Sequence, residues 1–587
     1  MKIGLEIHQR LDTEKLFCRC SSQGKRQPCG TLYRKLHTVK SELGEKDIAA
    51  QKEELKEKVF EYVVYDNSCL VECDEEPPHN INLDALSIAV SVAKHLHMNI
   101  VDQVFVMRKI VIDGSNTSGF QRTAVVGLDG WVDTRKGNIS IQTLCIEEES
   151  AGIIEGKGSA RFGLDRLGIP LIEIATGPDI VDGEHAREVA EQLGTMLRLT
   201  GKAARGIGTI RQDINISIDG GARVEIKGVQ ELDDIPIIIE NEVMRQRRLI
   251  EINKMINPSL KPGKVNMIDV TNAFTGGTGW IQKSIVGGAR AMCIVLPGLK
   301  GLLGAELYSG RRFGTELSDY ARSFGFGGMI HGDEDFAKYK VDKGTVEAII
   351  GLKSNDSYAI LIGNDTEKMR IAFEHIINRA YLCKVPSETR RALSDGATEY
   401  MRPMATGARM YPETDVEPIM ITKEFIDSCV NKYPVRNVSE VISELERQTN
   451  KDIASQLIKS RFLSSYYNAV NKGIDPKLAG VVFTNVLKSI SRDGLDIDVL
   501  NDDLIIAVLE KHRDGAITKK AVEEVLRHMC KSPSASIDAI IDDNNLRRIS
   551  GDALKKLISE IGDERKILEM YRLNVDAEEL MRLMRKK

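Results

Sequence analysis

The sequence predicts a multidomain α+β protein in which a strand-rich first part is interrupted by a second α+β segment and followed by helices alone. Three observations support this fold class. The chain has 587 residues, more than one hydrophobic core usually supports. Runs of β-branched residues separated by Asp-Gly turns fill the first part. Beyond about Ile421, amphipathic helical patterns continue to the last residues.

The composition is that of an ordinary soluble protein, with 42% hydrophobic and 28% charged residues. No uncharged apolar run approaches the roughly 20 residues of a membrane-spanning helix, and the first residues lack a signal-peptide core. The ten cysteines are scattered, as is typical of reduced thiols in a cytoplasm. We therefore expect a cytoplasmic protein without membrane contact. The net charge of −5 confines any nucleic-acid surface to a local patch.

Turn and helix signals organise the first part. Asp129-Gly130 and Asp219-Gly220-Gly221 each predict a tight hairpin between two β-rich runs. Residues 42–60 are heavily charged and predict a solvated or partner-facing helix. Asp182–Thr200 places apolar residues on one stripe and predicts a helix that packs against the core.

A change of sequence texture predicts an inserted domain. From about Val265 the chain becomes a Gly-rich α+β segment that ends in a helix at Thr366–Arg379, and Thr389–Pro418 then returns to the style of the first part. Such insertions are tolerated where the ends of the host segments meet at the surface. The predicted domains are a host domain in two parts (1–264 and 381–422), an insert (265–380), a helical linker (423–475) and a helical tail (476–587).

Acidic residues at strand positions are the strongest functional signal. Glu173 lies in the otherwise apolar run Pro170–Ala175, although a carboxylate removed from water costs several kcal/mol unless a cation or donors receive it. Glu6 and His8 share one face of a short strand, and Glu147–Glu149 ends another. Mg²⁺ is the obvious shared partner, because it takes oxygen ligands and usually binds phosphates as well. Ion pairs with Arg or Lys are the alternative, and His8 alone could equally be a hydrogen-bonded structural residue.

A loop rich in Gly, Ser, Thr and Asn follows a strand and ends in an arginine. Backbone N–H groups, small hydroxyls and a guanidinium could together hold phosphates, although no Walker motif is present and an ordinary surface loop is the alternative. The candidate phosphate ligands are Ser115, Asn116, Thr117, Gly119, Gln121 and Arg122.

Four cysteines could supply thiolates for a structural zinc ion. Cys18 and Cys20 are spaced as Cys-x-Cys, and Cys69 and Cys73 as Cys-x-x-x-Cys, both looser than the paired Cys-x-x-Cys of robust sites. Free structural thiols are the alternative. No Ser/His/Asp or Cys/His nucleophilic constellation can be assembled locally.

Several of these motifs together resemble one family. In this order and over essentially the whole chain, the sequence is similar to the glutamyl-tRNA(Gln) amidotransferase family that contains the archaeal GatE and the bacterial GatB proteins. The insert is similar to the extra domain of bacterial-type aspartyl-tRNA synthetases, which separates GatE from GatB. The motifs are Gly4–His8, Lys15–Cys20, Asp74–His79, Ile112–Thr123, Glu147–Gly152, Asp165–Ile174, Ile210–Ser217, Val224–Lys227 and Thr398–Pro418.

The resemblance implies a fold and an activity. It implies a mixed-sheet cradle catalytic domain with the aspartyl-tRNA synthetase-like insert, followed by the helical linker and a helical tail that binds tRNA. The implied reaction uses ATP to phosphorylate the γ-carboxylate of glutamate on misacylated tRNA(Gln), after which ammonia attacks the acyl phosphate. The ammonia would come from an asparaginase-like amidase partner, GatD, in a heterotetramer of two GatD and two GatE chains.

The resemblance also implies site residues. Glu6, His8, Glu148 and Glu173 match positions that line the metal and transfer site, and we predict Glu6, Glu148 and Glu173 as the Mg²⁺ ligands. Which of Glu147, Glu148 and Glu149 is the ligand stays open. The four cysteines match the family's zinc ligands only loosely.

Two other functions stay open. The chain could be a tRNA-binding or assembly protein whose partner performs the chemistry, or a GatB-type protein that works with amide-hydrolase partners, although the insert argues against the latter. Basic pairs in the tail are candidate tRNA phosphate contacts, with solvated helix faces as the alternative. They are Lys519, Lys520, Arg527, His528, Arg547, Arg548, Lys555, Lys556, Arg565, Lys566 and residues 582–587.

Overall fold

The computed structural model describes residues 1–23, 26–41, 44–54, 58–154, 161–206, 208–277, 279–404 and 409–585, except for the side chains of residues 48, 49 and 52. Contacts divide the chain into two compact units, Met1–Val435 and Arg436–Lys587. Within the described ranges, no helix combines the length and the apolar character that crossing a membrane requires.

All strands lie in the first unit. They are β1 Lys2–Arg10, β2 Pro28–Arg34, β3 Phe60–Tyr65, β4 Asn99–Ile100, β5 Gln103–Val104, β6 Val106–Ile110, β7 Phe120–Thr134, β8 Gly137–Glu148, β9 Gly152–Ile154, β10 Arg161–Gly163, β11 Pro170–Thr176, β12 Ile210–Ser217, β13 Val224–Val229, β14 Ile268–Asp269, β15 Arg290–Leu296, β16 Glu306–Tyr308, β17 Arg311–Arg312, β18 Ile330–His331, β19 Ser357–Gly363, β20 Glu388–Ala392, β21 Thr398–Pro403, β22 Met410–Pro412 and β23 Ile419–Met420, as far as the described residues show.

Helices occur in both units, and from α10 onward they belong to the second. They are α1 Ile48–Glu54, α2 Leu83–His95, α3 Gly183–Leu199, α4 Asp234–Met255, α5 Trp280–Val286, α6 Phe313–Ser323, α7 Lys343–Ile350, α8 Thr366–Ala380, α9 Lys423–Lys432, α10 Val438–Gln448, α11 Lys451–Lys459, α12 Leu463–Asn471, α13 Pro476–Val481, α14 Leu487–Arg492, α15 Asp502–Arg513, α16 Lys519–Lys531, α17 Ile537–Asp543, α18 Gly551–Ile561, α19 Glu564–Met570 and α20 Ala577–Met584.

A mixed sheet organises the first unit. Its 11 strands run in the order β21-β20-β13-β12-β1-β11-β8-β7-β6-β22, with β4 paired to β7. Neighbours are antiparallel except β13 and β20, which are parallel. Strand β1 lies in the middle, with β11 on one side and β12 on the other.

The two faces of this sheet differ because side chains alternate along each strand. Ile3, Leu5 and Ile7 of β1 are fully buried on one face, against which α2, α3 and α4 pack. Glu6 and His8 point to the opposite face and are only partly buried. We call this opposite side the open face.

The sheet joins chain segments on both sides of residues 265–380. Strands β20 and β21 follow those residues and extend one end of the sheet, and β22 pairs with β6 at the other end. Residues 265–380 contribute their own sheet, in the order β14-β15-β19-β18. The coarse prediction of a mixed α/β chain with a large mixed sheet and a helical C-terminal region is confirmed. The five-segment domain division and the likeness of the insert to an aspartyl-tRNA synthetase domain stay predictions.

Local predictions met different outcomes. The hairpin at Asp219–Gly221 is confirmed between β12 and β13, but the hairpin at Asp129-Gly130 is wrong, because β7 runs straight through both residues. Gly130 is needed for close approach instead: a Cβ there would lie 2.4 Å from the Leu96 carbonyl oxygen. The chain reverses between β7 and β8, after residue 134.

Helix predictions also varied. Helices α3 and α8 match their predicted ranges closely. Of the helix predicted over residues 42–60, the structure contains Ile48–Glu54, Phe60 begins a strand, and residues 42, 43 and 55–57 lie outside the described residues.

A buried ion-pair network joins residues 265–380 to the large sheet. Glu316 of α6 is 1% exposed and accepts hydrogen bonds from three arginines, at 3.1 Å from Arg379 of α8 and 3.2 Å from Arg390 of β20. The third donor is Arg245 of α4, which also binds Glu242 at 2.7 Å. Such charges are stable in the interior only because each is paired.

Glu316→Gln should therefore destabilise the first unit strongly, because it leaves buried guanidinium groups without their counter-charge. Breaking a buried ion pair typically costs about 3–5 kcal/mol. Both tryptophans, Trp131 and Trp280, lie in this unit, so tryptophan fluorescence during urea unfolding reports on it. The control is Glu367→Gln, which removes an exposed ion pair with Arg370 on α8. Equal urea midpoints for the two variants would contradict the importance of the network.

Candidate functional site

Acidic side chains from four neighbouring strands meet on the open face. His8 of β1 is opposite Glu173 of β11 in the strand register. Its imidazole lies between two carboxylates, with Nδ1 3.6 Å from Glu173 Oε2 and Nε2 3.7 Å from Asp213 Oδ2. Ligand atoms of His8, Glu147 and Glu173 lie within 4.8 Å of one another, as do those of Glu6, His8 and Asp213. We call these five residues the carboxylate cluster.

Two lysines border the carboxylate cluster. Lys109 Nζ of β6 is 3.3 Å from Glu147 Oε1 and 4.0 Å from Glu173 Oε2. Lys227 Nζ of β13 is 2.6 Å from Asp213 and 2.8 Å from Glu225. Five carboxylates thus face two lysines and one histidine, which leaves an excess of negative charge.

The pKa values in the cluster reflect this crowding. Burial and the neighbouring Glu147 charge raise the pKa of Glu173 to about 7. Burial alone would lower the pKa of His8, but the hydrogen bond to Asp213 and the Glu173 charge outweigh it and raise that pKa to about 9. A hard divalent cation with oxygen ligands would relieve the repulsion, so the donor set fits Mg²⁺.

The structure does not bring Glu148 to this cluster, and Glu147 stands there instead. Successive side chains of a strand point to opposite faces, so Glu148 projects away from the open face. It receives 2.9 Å and 3.2 Å hydrogen bonds from the Arg122 backbone and guanidinium groups. The predicted grouping of Glu148 with Glu6 and Glu173 is corrected accordingly.

The sequence pattern did not single out Glu147, Asp213, Lys109 or Lys227. The same signal could have found two of them, because Asp213 and Lys227 are also charged residues within otherwise β-rich strands. Only the strand order brings these residues next to β1.

The predicted phosphate loop is largely occupied with its own surroundings. Thr117 is buried and its hydroxyl donates a 2.7 Å hydrogen bond to the Glu72 carbonyl. Asn116 is also buried, the Ser115 hydroxyl donates to Asp113 at 2.6 Å, and the Gly119 N–H bonds to the Asn116 carbonyl at 3.2 Å. Four of the proposed ligands therefore do not face the carboxylate cluster.

The last two loop candidates differ in where they point. Gln121 reaches the cluster, with Nε2 3.3 Å from Glu147 Oε2. Arg122 is neutralised by Glu148 and by Glu413, whose carboxylate lies 2.7 Å from Arg122 Nε. Glu413 follows β22 and also binds Arg108. Phosphate binding by the loop stays a prediction.

Three of the four predicted zinc ligands come together. Ligand atoms of Cys18, Cys20, Cys69 and Glu72 lie within 4.8 Å of one another. A hydrogen bond with Cys18 lowers the pKa of the Cys69 thiol to about 6. Cys73 is absent from this group and is instead part of a small hydrophobic core, so Glu72 takes the place predicted for it. Three thiols and a carboxylate fit a tetrahedral zinc ion, and bound zinc stays a prediction.

Comparison with protein families identifies the chain. A family model described as "GatB/GatE catalytic domain" matches residues 1–427. The chain belongs to the GatB/GatE family. A second model of the family, described as "GatB domain", matches residues 464–578.

Curated relatives agree with this membership. A protein of Methanocaldococcus jannaschii is 42% identical over 576 residues, which cover 96% of this chain and 91% of the relative. One from Sulfolobus acidocaldarius is 40% identical with the same coverages, and one from Sulfurisphaera tokodaii is 39% identical over 100% and 98% of the two chains. Each is named as the E-type component of glutamyl-tRNA(Gln) amidotransferase. The resemblance drawn from the motifs is confirmed.

The contacts of Glu413 predict an acid-sensitive contribution to stability. Burial alone would raise the pKa of Glu413, but hydrogen bonds from Arg108, the Asp415 N–H and Arg122 lower it to about 2 from its ordinary 4.5. The unfolded chain therefore takes up a proton between these pH values that the folded protein does not. The stabilisation is complete above pH 4.5 and is lost as the pH falls through this window.

Glu413→Gln should consequently flatten the fall in stability between about pH 5 and 3. The measurement is the urea midpoint of tryptophan fluorescence at a series of pH values. Glu417→Gln, at an exposed position nearby on the same segment, is the control for the charge change. Parallel pH profiles for wild type and Glu413→Gln would contradict the assignment.

Proposed function

We propose that this chain amidates glutamate on misacylated tRNA(Gln) with ATP and Mg²⁺, and that the open face is the site of the reaction. The observation that carries this proposal is the carboxylate cluster, whose excess of negative charge suits a metal-bound polyphosphate, in a chain of the GatB/GatE family. The names of the curated relatives support the substrate.

The proposed reaction has two steps. An oxygen of the glutamate γ-carboxylate attacks the γ-phosphorus of ATP, the bond from that phosphorus to the bridging oxygen of ADP breaks, and an acyl phosphate forms. Ammonia then attacks the acyl carbon, phosphate leaves with the carbon–oxygen electron pair, and the nitrogen loses a proton to give the amide. Neither step requires a protein nucleophile, which agrees with the absence of such a constellation from the sequence.

The residues of the cluster would have different tasks. Glu6, Glu147, Glu173 and Asp213 supply hard oxygen ligands, and His8 fixes two of these carboxylates by contacting both. When bound, Mg²⁺ would neutralise phosphate charge and orient the transferred group. Catalysis would thus consist mainly of positioning and charge compensation.

Ammonia must come from elsewhere in this scheme. The proposed source is the asparaginase-like amidase GatD, in a heterotetramer of two GatD and two GatE chains. A tRNA-binding or assembly role without catalysis is the second candidate, and the assay below separates the two.

The helical tail remains a candidate tRNA contact, but several of its basic residues are engaged. Arg527 binds Asp493 and Glu523, and Arg547, Arg548 and Lys555 each bind an acidic residue. Among the described residues of the tail, basic side chains without an ion pair are better candidates for tRNA phosphates. They include Lys519, Lys520, Arg565, Lys566 and Arg582, and residues 586 and 587 lie outside the described residues.

The full-length chain alone should form glutaminyl-tRNA when it receives ATP, Mg²⁺, glutamyl-tRNA(Gln) and ammonium. It should fail with glutamine or asparagine as nitrogen donor until the amidase partner is added. The measurement is thin-layer separation of the labelled amino acid released from tRNA. Catalysis is disproved if ammonium supports no product and only the partner turns over ATP. Release of ammonia from either amide by the isolated chain would contradict the proposed division of labour.

Adjacent carboxylates test the position of the site. Glu147→Gln and Glu173→Gln should each lower turnover by about 100-fold or more while tRNA binding persists, because amide oxygens are poorer ligands for a hard cation. Glu148→Gln is the matched control, since it makes the same change one residue away and on the opposite face. We expect it to affect stability more than turnover at saturating Mg²⁺. The reverse order of activities would restore Glu148 as the ligand.

A further inference from the structure

A second charged group lies on the open face beside the carboxylate cluster. Glu149 is fully buried and is surrounded by three arginines. Arg10 Nε lies 2.6 Å from its Oε2, while Arg211 Nη2 and Arg166 Nη2 lie 3.0 Å and 3.2 Å from its Oε1. We call Arg10, Arg166 and Arg211 the arginine triad.

The triad carries more positive charge than its surroundings neutralise. Across the described part of the chain, Glu149 is the one carboxylate within ion-pair distance of the three guanidinium groups. The Arg166 Nε is buried and has no hydrogen-bond partner there. Burial together with repulsion from Arg166 and Arg211 lowers the pKa of Arg10, although Glu149 opposes this. An anion would relieve the repulsion and take up the unused donor.

The strand register sets the triad next to the carboxylate cluster. Arg10 follows His8 by two residues on the same face of β1, a separation of about 7 Å along a strand. Arg211 of β12 is directly opposite His8. Negative oxygen ligands and surplus guanidinium groups therefore adjoin, which is the arrangement that a metal-bound phosphate group requires.

The triad is also held in place. The Arg166 side chain lies over Gly152, where a Cβ would be 3.3 Å from its Cδ. Glu149 donates its backbone N–H to the Ile169 carbonyl at 2.7 Å, and Gly168 donates to the Glu149 carbonyl at 3.1 Å. The guanidinium groups are 13% to 31% exposed, so a ligand can reach them from the open face.

We propose that the arginine triad binds the terminal phosphates of ATP during the reaction. This inference rests on the proposed function and assigns the nucleotide phosphates to Arg10, Arg166 and Arg211 rather than to the loop at residues 115–122. Arg122 of that loop is already neutralised by two carboxylates. The phosphodiester backbone of tRNA offers similar chemistry, but the partial burial of the triad and its position beside Mg²⁺ ligands favour the nucleotide.

Nucleotide binding to the full-length chain tests this assignment. The dissociation constants of ATP, ADP and adenosine are measured with Mg²⁺ by isothermal titration for wild type, Arg166→Gln and Arg211→Gln. Each substitution leaves Glu149 with two arginine partners, so folding should persist. We expect each variant to bind ATP about 10- to 100-fold more weakly, as loss of a charge-assisted contact predicts, and to bind adenosine like the wild type. Arg198→Gln is the control, because Arg198 is a partly buried arginine on α3 that bonds to Thr195.

The outcomes separate the two proposals. An unchanged preference of both triad variants for ATP over adenosine overturns the triad assignment while the proposed function stands. Weaker binding of a tRNA(Gln) transcript, with a salt dependence shallower by about one unit per contact and unchanged ATP binding, assigns the triad to tRNA and likewise overturns the proposal. A wild type that binds no ATP overturns both proposals. Loss of ATP affinity in Arg198→Gln as well would show a general charge effect and would also refute the assignment.

Discussion

The alternation of side chains along β1 is the constraint on which the rest of the site depends. Because β1 is paired on both edges, it can neither slip nor twist independently. Ile3, Leu5 and Ile7 must enter the core, and the residues between them must face the other way. A slip of one residue would bury charged groups in the core and expose the aliphatic residues. The core therefore fixes the orientation of Glu6 and His8.

Charge compensation follows from the same geometry. Burying so many ionisable groups would be unfavourable unless each faced an opposite charge. On the open face, the compensation is incomplete in two adjoining places, with an excess of carboxylates around His8 and an excess of guanidinium groups around Glu149. Glu316 and its arginines lie within the protein interior and are fully paired by comparison. Incomplete compensation thus occurs where ligands can approach, and complete compensation occurs where they cannot.

Local sequence pattern was enough to predict only some parts of the site. A carboxylate within an apolar run identified Glu173, and period-two spacing grouped Glu6 with His8. The pattern favoured Glu148 over Glu147 because the phase of a strand relative to its core is set by strand pairing, which no short motif reveals. It favoured Cys73 over Glu72 because cysteines were counted by spacing, whereas a carboxylate near them in space was not. Asp129-Gly130 was misleading, since the pair serves a close contact with Leu96 instead of a turn.

The pairing of β22 with β6 has a consequence for how the chain acquires its structure during synthesis. Roughly 300 residues separate the two strands, and Glu413 meets Arg108 and Arg122 over a similar distance in sequence. At about 5–20 residues per second of translation, the early strands wait many seconds on the ribosome before their last neighbours emerge. Their exposed edges and apolar surfaces can meet wrong partners meanwhile. Nascent chains of this architecture should therefore depend on chaperones until the segment after residue 388 has left the ribosome.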